Sequence, residues 1–225
     1  MKYNIRGTTL QVVDIELEEG ESVYTEAGGM AWMSPNIDME TNTRGGIMKG
    51  LGRMFAGESL FMATYTCNKG TGLISFANEF PGKVIPMELR EGENIIAQRD
   101  AFMCAESTVG MQMHFRKKLG AGLFGGEGFI MQKLSGPGTA FIELAGEITK
   151  YTLKGGQMLK VDPGYIGMFE PGVEFDVTRV KGVKNIFFGG EGMFLATLKG
   201  PGDVWLQSMP LSNLAGRLGR YLPKG

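Results

Sequence analysis

Three glutamates stand in glycine-rich loops that read almost alike, and they are the residues of this chain most suited to act together. Glu127 lies in Phe124-Gly125-Gly126-Glu127-Gly128, Glu191 in Phe188-Gly189-Gly190-Glu191-Gly192, and Glu58 in the looser Phe55-Ala56-Gly57-Glu58-Ser59. Carboxylates brought round one axis and facing inward could hold a hard cation, or a cationic group of a partner, through oxygen ligands. In the alternative reading each carboxylate accepts from backbone N–H groups of its own loop. Glycine-flanked polar residues usually serve turn geometry, so the second reading is the expected one and no metal or cofactor is assigned.

Other chemistry finds less support. Gly-Gly-Glu-Gly is not a phosphate loop, because no Gly-Lys-Ser/Thr follows and the next stretch has strand character, leaving no helix N-terminus for a phosphate. The single histidine, His114, has no second His or Cys at ligand spacing, which argues against zinc. No Gly-x-Ser-x-Gly elbow occurs, and neither Cys67 nor Cys104 has a motif pairing it with His114. The expectation is a chain that is not an enzyme.

The loops belong to a larger repeat. A second motif, Leu-x-x-Gly followed by an acid or amide, occurs at Leu17 to Glu21, Leu89 to Glu93 and Leu153 to Gln157. The two motifs alternate, and Glu127 to Glu191 (191 − 127) and Leu89 to Leu153 (153 − 89) both span 64 residues. After each Gly-Glu comes an apolar run, then a turn (Gly70-Thr71-Gly72, Gly136-Pro137-Gly138, Gly200-Pro201-Gly202), then a second apolar run containing Phe76, Ile142 or Leu206. Each unit therefore reads as strand, turn, strand.

Units of this size would be marginal alone and gain by sharing a core. The 36 glycines, with no collagen period, suit many tight turns between short strands. The 16 methionines suit gaps in a core made from imperfect copies. A net charge of −1 argues against nucleic acid, which calls for a concentrated basic face. No apolar h-region follows Met1-Lys2-Tyr3-Asn4, and no apolar run is long enough to span a bilayer, so a cytoplasmic location is expected, with peripheral membrane contact as the variant. Two cysteines far apart fit reduced thiols.

Strand patterns fill most of the chain. Val13, Ile15 and Leu17 alternate with Asp14 and Glu16. Short apolar runs follow at 22–26, 30–33, 82–89, 94–99, 102–105, 109–115, 147–153, 158–161, 165–170 and 173–180. The run 109–115 alternates as Val109, Met111, Met113 and Phe115, with His114 on the opposite face. Strands this short and frequent predict an all-β body, fused over residues 1–225, with approximate repeats 1–80, 81–145 and 146–210. Leu211, Leu214, Leu218 and Tyr221 share helical spacing, so 211–225 is expected to be a helical tail capped by Ser212.

Three segments mix bases, glycines and large apolar residues: 44–55 with Met48, Leu51 and Phe55, 116–124 with Leu119 and Leu123, and 214–221 with Leu214, Leu218 and Tyr221. They read either as packed bridges between units, which their place in the repeat favours, or as a surface for lipid headgroups or a partner.

The alternation of Leu-x-x-Gly-Glu with Phe-Gly-Gly-Glu-Gly, carried by Gly57-Glu58, Phe124 to Gly128, Phe188 to Gly192 and the two Gly-Pro-Gly turns, resembles the prokaryotic branch of the "altered inheritance of mitochondria twenty-four" family, a domain of unknown function. The first copy departs from the pattern at Ala56, Ser59 and Thr71. The resemblance implies three tandem β-sandwich-like units similar to the tryptophan RNA-binding attenuation protein, packed with pseudo-threefold symmetry. It implies no established enzymatic activity, and its eukaryotic branch is mitochondrial and linked to membrane organisation. RNA binding does not transfer with the fold, because function lives in the site.

The function expected is a non-enzymatic β-repeat scaffold or interaction protein, with an unknown protein partner, self-association or peripheral membrane contact. The alternative is a small-ligand binder with sites between repeats. An RNA binder is the third reading.

Overall fold

The computed structural model describes residues 1–42, 62–117, 128–179, 194–219 and 221, and among them the fold is nearly all β with one helix. The chain runs first through β1 (Lys2–Arg6), β2 (Val12–Glu18), β3 (Ser22–Glu26), β4 (Met30–Met33), β5 (Ile37–Asn42), β6 (Met62–Cys67) and β7 (Thr71–Ala77). Next come β8 (Gly82–Leu89), β9 (Asn94–Gln98), β10 (Phe102–Glu106), β11 (Gly110–Lys117), β12 (Phe129–Ser135) and β13 (Gly138–Ala145). The last run is β14 (Ile148–Leu153), β15 (Met158–Val161), β16 (Ile166–Phe169), β17 (Glu174–Arg179), β18 (Phe194–Lys199) and β19 (Gly202–Gln207), followed by α1 (Leu211–Leu218).

Among the described residues all pairing is antiparallel. In the first run β2 pairs β7, β4 pairs β7, and β6 lies between β3 and β5. In the second, β8 and β10 flank β13 while β9 and β11 flank β12. In the last, β14 and β16 flank β19 while β15 and β17 flank β18. Two further ladders join the runs, β3 with β10 and β9 with β16. The result is two six-stranded sheets, β5-β6-β3-β10-β13-β8 and β11-β12-β9-β16-β19-β14, and two smaller ones, β1-β2-β7-β4 and β15-β18-β17.

The alternation read in β2 holds: Val13, Ile15 and Leu17 are fully buried, while Glu16 and Glu18 are exposed. They pack in a cluster with Ile74, Phe76, Tyr65 and Phe141. A second cluster gathers Leu89, Ile95, Leu134, Ile142 and Met168 between the two large sheets. A third holds Ile96, Phe129, Phe169, Val177, Leu198 and Val204. Residues of both large sheets enter two clusters, so those sheets bury both faces. That double burial explains why strands such as Gly138–Ala145 lack polar alternation.

The Leu-x-x-Gly motif is a turn whose acid or amide satisfies the backbone. Glu18 N–H donates to Glu21 Oε2 at 2.9 Å, Arg90 N–H to Glu93 Oε2 at 2.8 Å, and Lys154 N–H to Gln157 Oε1 at 2.7 Å. Gly20, Gly92 and Gly156 take φ of 84°, 84° and 81°, the left-handed region that favours glycine. The motif leucines then pair with the last glycine of each later turn: Leu17 with Gly72, Leu89 with Gly138, Leu153 with Gly202.

Two local expectations change. A bulge between Met113 and Phe115 breaks the strict alternation of β11, and Met113, in unbroken register with the buried Met111, is itself exposed. Ser212 does not cap the helix. It begins at Leu211 after Pro210, whose carbonyl accepts from the N–H groups of Asn213 and Leu214.

Candidate functional site

The glutamates Glu58, Glu127 and Glu191 lie outside the described residues, as do Met48, Leu51, Phe55, Leu119 and Leu123. Of the sequence-predicted surface, Leu214, Leu218 and Tyr221 are described. Leu214 is half-buried, whereas Leu218, the last residue of α1, and Tyr221 beyond the helix are 54% and 88% exposed. Asn213 of the same helix donates to the Tyr165 hydroxyl at 3.2 Å. Among the described residues no helix is long and apolar enough to cross a membrane.

A concave polar site among the described residues lies at the junction of the first and second runs. A cavity of about 230 Å³ is lined by Thr25 and Glu26 of β3, Phe102 and Met103 of β10, Arg99 and Asp100, Glu79, Glu143 of β13, and Leu211 at the start of α1. Thr25 Oγ1 donates to the Met103 carbonyl at 2.5 Å and closes the floor. Arg99 and Asp100 are held by a short 3-10 turn, Arg99–Ala101, whose apolar anchor is the buried Ala101.

Glu143 is the unusual group. It is only 6% exposed, and its Oε2 accepts from the Glu79 N–H at 3.3 Å. Burial pushes its carboxyl up to about 7; the Glu79 N–H pulls the other way, and the Glu79 carboxylate adds to the rise. Close to it, Cys104 is fully buried, and burial, then the neighbouring Glu143, holds its thiol well above the ordinary range. A carboxyl titrating near neutrality can pass a proton in either direction, the property general acid–base chemistry needs. Among the described residues, however, no group of three or more His, Cys, Asp or Glu could hold a metal ion. His114 sits elsewhere, on the solvent side of β11 with its ring 6.5 Å from that of Phe169; partial desolvation of the ring, then Lys133, lowers its pKa.

The corresponding place one run later is filled differently. Counting five ladder pairs from the motif leucine, Glu143 faces Val84 and Gln207 faces Ile148. Gln207 Nε2 donates to Gln98 Oε1 at 3.3 Å and to the Gly164 carbonyl at 3.0 Å, and its Oε1 accepts from Ala145 N–H at 2.9 Å. A fully employed amide closes the second junction, while a carboxyl lines a cavity at the first. Glu143 was missed in the sequence, although a signal existed: one carboxylate inside the apolar run Ala140-Phe141-Ile142-Glu143-Leu144-Ala145.

The fold is shared with a known structure, and the sequence with a known family. The family model described as "Mitochondrial biogenesis AIM24" matches residues 3–209. The chain belongs to the AIM24 family. An uncharacterized protein of Streptococcus pyogenes serotype M6 is 33% identical over 234 residues, covering 99% of this chain and 92% of that protein. An X-ray crystal structure of a Streptococcus pyogenes protein superposes with a TM-score of 0.78 at 28% identity, covering 98% of this chain and 99% of that one. This AIM24 chain is thus similar from end to end to proteins of the prokaryotic branch, as the glycine–glutamate motifs imply.

Proposed function

We propose that this AIM24-family chain is a non-enzymatic scaffold or interaction protein of the cytoplasm, one β unit in three copies over residues 1–80, 81–145 and 146–210, related by pseudo-threefold rotation. The observation that carries the reading is the recurrence of one hydrogen-bond scheme. The same six-strand pairing, the same leucine–glycine register and the same acid or amide turn occur in each unit. Conserving geometry while varying the side chains at equivalent points, Glu143 against Gln207, suits a packing framework better than a reaction centre. The buried, unpaired thiols of Cys67 and Cys104 fit a reducing compartment.

Contact with a membrane surface would use the C-terminal segment, where Leu218 of α1 and Tyr221 beyond the helix are exposed, with Arg217 beside Leu218. Liposome flotation of the wild type against a Leu214→Ser, Leu218→Ser, Tyr221→Ser variant tests that clause. Flotation of the wild type alone supports it, and flotation of neither removes it. Co-purification at native expression level tests the scaffold reading, which fails if the chain recovers neither a partner, nor itself, nor lipid.

A second reading, a small-ligand binder with its site between units, is favoured by the cavity around Glu143. Thermal-shift screening at pH 6 and pH 8 tests it; no stabilisation by any metabolite or metal removes it.

A further inference from the structure

We infer that the cavity around Glu143 binds a small primary amine, whose ammonium group takes, at the seam of the first two units, the place that the Gln207 amide fills at the seam of the last two. The inference deepens the small-ligand reading and rests on it.

Two seams join the units, β3 with β10 and β9 with β16, and the same backbone donor serves both. At the second, the Ala145 N–H donates to Gln207 Oε1 at 2.9 Å; at the first, the Glu79 N–H donates to Glu143 Oε2 at 3.3 Å. Ala145 and Glu79 each stand seven residues after the last glycine of a repeat turn (145 − 138 and 79 − 72), so the two bonds are equivalent. That match fixes the other end of each side chain: Glu143 Oε1 corresponds to Gln207 Nε2.

Gln207 Nε2 donates to Gln98 Oε1 at 3.3 Å and to the Gly164 carbonyl at 3.0 Å. At the first seam the residue matching Gln98 is Glu26, six beyond Gly20 as Gln98 is six beyond Gly92 (26 − 20 and 98 − 92). The residue matching Gly164 is Asp100, since each is the middle residue of its 3-10 turn, Pro163–Tyr165 or Arg99–Ala101. Glu26 and Asp100 both line the cavity. Glu143 is 6% exposed, and its one hydrogen bond among the described residues is that of Oε2 to Glu79. An amide that donates is thus replaced by a carboxylate that accepts, set between a second carboxylate and a carbonyl. Three acceptors meet where the other seam has a donor between two acceptors, and the three N–H donors of an ammonium group match them.

Charge and shape select the same ligand. Four carboxyls, Glu26, Glu79, Asp100 and Glu143, line the cavity against one cation, Arg99, whose Nε lies 3.4 Å from Asp100 Oδ1. The excess of negative charge favours a cation. Phe102, Met103 and Leu211 supply an apolar wall for a short alkyl stem. The titratable groups around Glu143 are Glu26 of β3, Glu79 after β7, Arg99 and Asp100 of the 3-10 turn, and Cys104 of β10, whose thiol stays protonated. The ammonium group displaces the proton that burial keeps on Glu143, a carboxyl titrating at about 7, so binding tightens as pH rises through 7 and levels off above it.

The probe is n-butylamine, titrated calorimetrically into the full chain at pH 6 and pH 8. Its controls are n-butanol and tetramethylammonium, which share its stem or its charge but not its three donors. Affinity about tenfold higher at pH 8 is expected, because only about a tenth of a carboxyl titrating at about 7 is ionised at pH 6, and neither control should bind. Glu143→Gln, which supplies the donor found at 207, should abolish amine binding at pH 8 while melting no lower than the wild type, which separates a lost site from a lost fold. Glu26→Gln should weaken binding about tenfold. No binding of n-butylamine at pH 8 overturns the inference, as does binding that persists in Glu143→Gln or equal binding of n-butanol. If another metabolite then stabilises the wild type but not Glu143→Gln, the small-ligand reading stands without the amine; if none does, both fall.

Discussion

Gln207 Nε2 donates to Gln98 Oε1 at 3.3 Å, tying β19 to β9 across a seam where both side chains are buried. Gln207 also answers the Gly164 carbonyl and the Ala145 N–H, so one side chain serves three elements. Gln207→Ala leaves those groups buried without a partner. It is expected to cost about 3 kcal/mol, a fall of order 10 °C in melting temperature for a chain of this size. Calorimetry checks it, and Gln207→Glu should recover less than half of the loss at pH 8 because a carboxylate cannot donate to Gly164.

Glu143 makes stability fall as pH rises. Its folded pKa of about 7 lies above the 4.5 of a free glutamate, so the folded chain keeps a proton that the unfolded chain releases. The stabilisation is full below pH 4.5, declines as pH climbs towards 7, and is gone above it. The gap corresponds to about 3 kcal/mol. Glu143→Gln, which places at this point the residue found at 207, should match the wild type at pH 4.5 and exceed it at pH 8. Urea titrations at the two pH values provide the measurement.

Gly82 opens β8 against Ala145, and a Cβ there would meet the Leu144 carbonyl oxygen at 2.0 Å and its carbon at 2.9 Å. Both are backbone atoms and cannot swing aside. Gly82→Ala should cost about 2–3 kcal/mol by forcing the β8–β13 ladder apart, whereas Gly155→Ala, with open space around it, should be tolerated. Melting temperatures of the two variants, run together, distinguish a local clash from a general intolerance of change.

Cys67 and Cys104 are buried, and burial holds the Cys104 thiol protonated far above neutrality. Neither should react with a thiol reagent at pH 8 while the fold is intact, and both should react once it is unfolded. Labelling followed by intact-mass analysis counts them. A thiol labelled in the native state would place its strand in an opening more local than global unfolding.

Much of the fold was legible because it depends on local chemistry. Val13, Ile15 and Leu17 alternate with carboxylates, and an alternating strand can bury only one face. Leu89-Arg90-Glu91-Gly92-Glu93 announces a turn because glycine takes the left-handed conformation there and the acid answers the N–H three residues back. The glycine–glutamate motifs carried the family, since they recur through the chain.

What only the tertiary structure decided is who meets whom across a seam. Glu143 and Gln207 sit in similar apolar runs, and nothing local says that one lines a cavity and the other bonds to Gln98. Trp32 and Met168 occupy matching places in strands of similar composition, yet one is exposed and the other sealed. The sequence specifies each strand by the pattern along it, but pairing between distant strands is a property of the packed body. Whether a side chain is buried depends on whether a neighbouring unit exists to cover it.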